Sequence, residues 1–135
     1  MKSIIKTTET FYHNLGKLFY AVAFADKTVR KEEVDTLREH VKKYWLDYDD
    51  LKDVFGSDAA HLIEIVFEGV QAFEETSKDM FDAFVSYKNQ QPHLFTEKVN
   101  QLIIKTSKAI AYSYAGINKS ELVIISQLEI ELSRL

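Results

Sequence analysis

The chain of 135 residues has no cysteine. That excludes a disulfide scaffold, a thiolate-held zinc or iron–sulfur site, and a thiol nucleophile. Proline occurs once and glycine four times, where average usage would give roughly 7 and 9. Few breakers mean long uninterrupted elements, which points to helices. Scarce glycine also leaves little room for phosphate-cradling loops, and no G-x-S-x-G, P-loop or G-x-G-x-x-G pattern occurs. A non-enzymatic protein is the expectation. Long hydrophobic runs are missing too. The longest stretch free of Asp, Glu, Lys and Arg is 109–118, half of the about 20 residues a spanning helix needs. Residues 1–6 hold only Ile4 and Ile5 as an apolar pair, so no secretory signal is read there, and a cytoplasmic location is expected.

What is present suits a globular domain. The chain is 46% hydrophobic, 28% charged and 13% aromatic, a composition that folds rather than stays disordered. Its length predicts one domain spanning 1–135. The net charge is −4, which argues against a nucleic-acid binder. That charge is unevenly spread. Residues 1–45 carry +3, residues 46–82 carry −9, and residues 83–135 carry +2.

Apolar periodicity predicts an all-α bundle of about six to seven helices. Phe11, Leu15, Leu18, Val22 and Ala25 mark a helix over 8–26. Gly16 lies inside that pattern and suggests that another helix packs closely there. Val34, Leu37, Val41 and Tyr44 mark a second helix over 30–45. Residues 47–57 read as a loop. A third helix is predicted from an Asp58 cap to Glu75, with Leu62, Ile65, Val66 and Phe73 apolar. Ser77 is expected to cap the next helix, which Pro92 stops. Helices over 95–114 and from Asn118 onward complete the chain, the last opened by a capping box of Asn118 and Glu121. Val123, Ile124 and Ile130 make that last helix apolar on more than one face, so it is either central or part of a contact surface, and a homo-oligomer stays open.

Two helix–turn–helix units resemble each other at an offset of 88 residues. Ala23, Phe24, Ala25, Val29, Lys31 and Glu33 align with Ala111, Tyr112, Ser113, Ile117, Lys119 and Glu121. In each, small residues end one helix and a β-branched residue follows the turn. A Glu then reaches back to the backbone N–H groups that open the next helix. The pattern resembles the turn A-x-A-D-G-x-[V/I]-x-x-x-E of the TerB-like family, which includes tellurite-resistance TerB proteins and the N-terminal domain of a membrane co-chaperone. The first copy keeps Ala23, Ala25, Asp26, Val29 and Glu33, and has Lys27 where Gly is usual and Arg30 where Asp is common. The second keeps Ala111, Ile117 and Glu121, has Tyr114 where Asp is expected, and puts Gly one place late at Gly116. The resemblance spans about 11–45 and 99–132. It implies a small helical module tied to stress responses, without enzymatic activity, whose acidic turn residues act as divalent-cation ligands.

On that implication Asp26, Glu33 and Glu121 are the candidate metal ligands, oxygen donors suited to a hard cation such as Ca²⁺. Read from the residues alone, Asp26 is a helix-end cap and Glu33 a partner of the helix dipole. Asp47, Asp49, Asp50, Asp53 and Asp58 are the candidate partner-binding residues. They fail the EF-hand template, because Lys52 stands where Gly is needed, and read as a solvated acidic loop or a surface for a basic protein. His61, Glu64, Glu68, Gln71 and Glu75 form one stripe, read as a solvent face. The aromatic residues are assigned mainly to the core, with the tyrosines and Trp45 as candidates for an interface. The expected function is a non-enzymatic interaction module binding a protein partner through an acidic surface, with no cofactor. A divalent-cation sensor on the Asp26 turn is the alternative.

Overall fold

The computed structural model describes residues 2–46, 59–114 and 116–133, with side chains from Glu9 onward. Every regular element among them is helical: α1 (Lys2–Ala23), α2 (Lys31–His40), α3 (Leu62–Ala72), α4 (Ser77–Gln90), α5 (Glu97–Tyr112) and α6 (Lys119–Ser133). The Asp47, Asp49, Asp50, Asp53 and Asp58 positions lie outside the described residues, as does the loop expected over 47–57.

Helix α1 is the central element. It packs most extensively on α3 and α4, and also meets α5 and α6, while α2 packs on α5. Its inward residues Tyr12, Leu15, Leu18, Phe19 and Val22 are wholly buried. The close approach expected at Gly16 is present. A Cβ there would stand 2.7 Å from the Ile63 carbonyl oxygen and 2.8 Å from Val66 Cβ, so the absent side chain lets α3 cross α1 at backbone distance.

Several boundaries differ from expectation for local reasons. The helix expected over 30–45 changes pitch. After His40 it continues as a π-helical turn, Val41–Trp45, which re-aims Trp45 into the core. There the indole Nε1 donates to Thr106 Oγ1 at 3.1 Å, and the ring packs near Tyr12 and Phe19. Trp45 is therefore a core residue and not part of an interface. Helix α4 is capped one residue earlier than predicted. Thr76 Oγ1 accepts the Asp79 N–H, and Ser77 instead donates to the Ala21 carbonyl, tying α4 to α1. Thr96 does the same for α5 by accepting the Val99 N–H.

Helix α3 and the turn before it bury only part of their apolar residues. Ala59, Ala60, Ile63 and Phe67 face the core. Ile65 is 61% exposed and Phe73 80% exposed. Leu62 and Val70 lie at the margin of the core, and Val66 is half-buried against Gly16 of α1. The stripe that closes on α1 thus runs through Ile63 and Phe67, Ile65 falls on the opposite side, and Phe73, at the C-cap just past the last turn, is exposed.

Candidate functional site

The two resembling turns meet. α1–α2 and α5–α6 bring positions 92 residues apart into contact, where Asn118 Nδ2 donates to Asp26 Oδ2 at 2.7 Å. The same Asp26 oxygen accepts from Arg30 Nη1 at 2.8 Å, and Asp26 Oδ1 accepts the Thr28 N–H at 3.1 Å. Arg30 in turn lies over the Tyr114 ring, 4.5 Å from its centroid. At the 88-residue offset, Asp26 corresponds to Tyr114 and Arg30 to Asn118. Each turn's first position therefore contacts the other turn's second, a crosswise exchange across a local two-fold relation. Asp26 is not a helix-end cap but the bridge between the turns.

Behind this bridge lies a pair of buried carboxyls. Glu33 Oε1 accepts the Arg30 N–H at 2.7 Å, and Glu121 Oε1 accepts the Asn118 N–H at 3.1 Å. Asn118 Oδ1 completes its capping box by accepting the Glu121 N–H at 2.9 Å. The backward reach expected of both glutamates is present. Their burial was not foreseen: Glu33 is 1% exposed and Glu121 2%. Glu33 Oε2 is enclosed and meets no hydrogen donor. Two facing carboxylates cannot supply one, but a proton shared between them makes an O–H···O bond and removes one buried charge. Burial, then the contact with Glu121, pushes Glu33 up to about 8, and burial also raises Glu121. For Asp26 burial acts upward too, yet the Arg30 guanidinium, the Thr28 N–H and Asn118 outweigh it and hold its carboxyl below the usual range.

Asp26, Glu33 and Glu121, the three candidate metal ligands, are thus brought to one junction. The charge of Asp26 is met from inside the fold by Arg30, and burial beside Glu121 favours the protonated form of Glu33. Among the described residues no group of three or more His, Asp or Glu is disposed to hold a metal ion. Arg30 and Asn118, the residues that make the junction, stand out in the sequence only through the repeat: Arg30 departs from the resemblance and Asn118 reads as a cap.

The second candidate surface is the outer face of α3. His61, Ile65, Glu68, Gly69, Ala72 and Phe73 are all exposed along it. Of the stripe expected to face solvent, His61, Glu68 and Gln71 are exposed and Glu64 and Glu75 half-buried, with Glu68 paired to Arg38 of α2. Residues 59–77 contain four glutamates and neither Lys nor Arg. The helix ends in a Schellman motif: the Glu74 N–H donates to the Gln71 carbonyl and the Glu75 N–H to the Val70 carbonyl. Glu74 occupies the left-handed position of that motif, with φ of 53°. By contrast, the exposed apolar residues of α6, Leu122, Val123 and Ile130, share their helix with both Lys119 and Glu129, so no single charge surrounds them.

Compared with models of known families, with curated proteins and with solved structures, the chain matches none. No described helix is long and apolar enough to cross a membrane.

Proposed function

We propose that this protein is a non-enzymatic helical interaction module that binds a protein partner through the acidic, apolar outer face of α3. The observation that carries this reading is Phe73, 80% exposed beside Glu74 and Glu75 and on the same face as the exposed Ile65. Large apolar side chains grouped on a charged surface mark contact sites. The acidic middle third of the chain supports the same reading, and the TerB-like turns are in keeping with a stress-response setting. The test is a photo-crosslinking residue at position 73 of the whole chain in cells, with position 98 on α5 as the control site. A discrete adduct from 73, absent from 98 and lost on Glu74→Lys, is the expected result. Equal capture at both positions would sink the reading.

The convergence of Asp26, Glu33 and Glu121 favours a second reading, a divalent-cation sensor at the junction. An entering ion would have to displace Arg30 from Asp26 and the proton between the glutamates. Titration of chelator-stripped protein with Ca²⁺, Mg²⁺, Mn²⁺ and Zn²⁺ tests it, because an ion that binds the folded state raises the thermal midpoint. No change in the Asp26 and Glu121 amide signals up to millimolar ion rejects it.

A further inference from the structure

We infer that the occupant of the α3 face is a basic amphipathic helix of a partner protein, crossing α3 at Gly69 between Ile65 and Phe73. This rests on the reading of that face as a docking surface.

Three local choices on this face disfavour the isolated fold. Gly69 sits inside a helix, where Ala would hold the backbone better by about 1 kcal/mol. Nothing in the fold requires it, because a Cβ at Gly69 would meet no atom within 4 Å. Glu74 holds a left-handed conformation that favours glycine. Phe73, between them in the sequence, presents its ring to water. The Schellman hydrogen bonds compensate Glu74 within the fold, but nothing in it compensates Gly69 or the exposed Phe73, and local rules broken without compensation mark a functional surface.

The geometry selects a helix. Ile65 and Phe73 are eight residues apart, about 12 Å along the axis, close to the 10–12 Å width of one helix with its side chains. Gly69 lies midway, four residues from each, and lowers the surface between two apolar ridges to backbone level. Helices crossing by ridge and groove use such a notch, and a small residue there allows close approach. A peptide added as a β-strand would need a sheet edge to pair with, and no strand is present among the described residues.

The charge selects the partner. Glu68 and Glu74 are exposed beside the face and Glu64 and Glu75 are half-buried near it; among the described residues the one cation in an ion pair with them is Arg38, at Glu68. A second copy of this chain laid face to face would bring the acidic rims together, and nucleic acid or an anionic membrane would be repelled. A helix with Leu-like residues on one side and Lys or Arg beside them satisfies both the apolar ridges and the rim.

The test uses the whole isotope-labelled chain and three synthetic helical peptides of about 18 residues, long enough to span the contact. They share one Leu pattern, and their polar positions are all Lys, all Gln or all Glu. The Lys peptide should shift the amides of 62–75 and bind at least tenfold more tightly than the Gln peptide, with the advantage shrinking in salt. Phe73→Ser and Gly69→Gln should each weaken it roughly fivefold or more, as truncation or blocking of a contact centre does. Neither should lower the thermal midpoint. Equal binding of all three peptides at α3 overturns the basic partner and leaves the docking surface standing. Lys-peptide shifts on another helix, or none at millimolar peptide, overturn the inference. The crosslink from position 73 then decides the broader reading separately.

Discussion

Glu33 has the most consequential environment of any single side chain described. Its carboxyl is raised to about 8 from an ordinary 4.5, by burial first and then by Glu121. The folded chain therefore holds a proton that the unfolded chain has already released. Stability from that proton is complete below the ordinary carboxyl range, declines from about pH 4.5, and is lost as pH rises through about 8. Asp26 has the opposite sign. Its lowered pKa adds stability above its ordinary value, lost only in stronger acid. Thermal midpoints should consequently fall between about pH 5 and pH 8, with a slope of at most roughly 1.4 kcal/mol per pH unit for one proton. Glu33→Gln should flatten that fall, since an amide donates without titrating. A mutant as steep as the parent would refute the shared proton. None of this is legible in a sequence read one turn at a time. The Glu at the third position of each helix announces a capping box, but only the meeting of the two boxes buries them together.

Glycines 16 and 69 show how one residue type serves opposite ends in adjacent helices. Gly16 in α1 is required by the crossing of α3, whose Ile63 carbonyl lies 2.7 Å from where a Cβ would be. Gly16→Ala should destabilise by about 1–3 kcal/mol, because that backbone atom cannot yield without moving the helix. Gly69→Ala, with open space around it, should stabilise by about 0.5–1 kcal/mol. Chemical denaturation of both variants measures the contrast, and the same sign in both would contradict the packing. Gly16 was legible because it interrupts a regular apolar stripe. The outer face of α3 was not. Leu62, Ile63, Ile65, Val66, Phe67, Val70 and Phe73 supply apolar residues at nearly every phase of the helix, so periodicity alone does not choose the side that meets α1.

The described helices pack around α1, which contacts α3, α4, α5 and α6. The π-helical turn ties the first half to the second through the Trp45–Thr106 hydrogen bond, and the Asp26–Asn118 bond ties the turns. Such sharing predicts one cooperative unfolding transition. Trp45 is the only tryptophan and is buried among Tyr12, Phe19 and Thr106. Its fluorescence in urea should therefore coincide with the loss of helical circular dichroism. A separate, earlier fluorescence change would show that the halves unfold independently.

The helical class, the positions of most helices and the two resembling turns follow from the chain's own composition and spacing. Rare glycine and proline, a 3.6-residue apolar period and side chains that cap their own helices act over a few residues. Which carboxyls are buried together, that Arg30 and not a second acid faces Asp26, and that Ile65 and Phe73 are exposed were decided by the tertiary structure. Those outcomes depend on how helices distant in sequence are set against one another. Burial, charge pairing and the choice of a core face arise only when the other surface arrives.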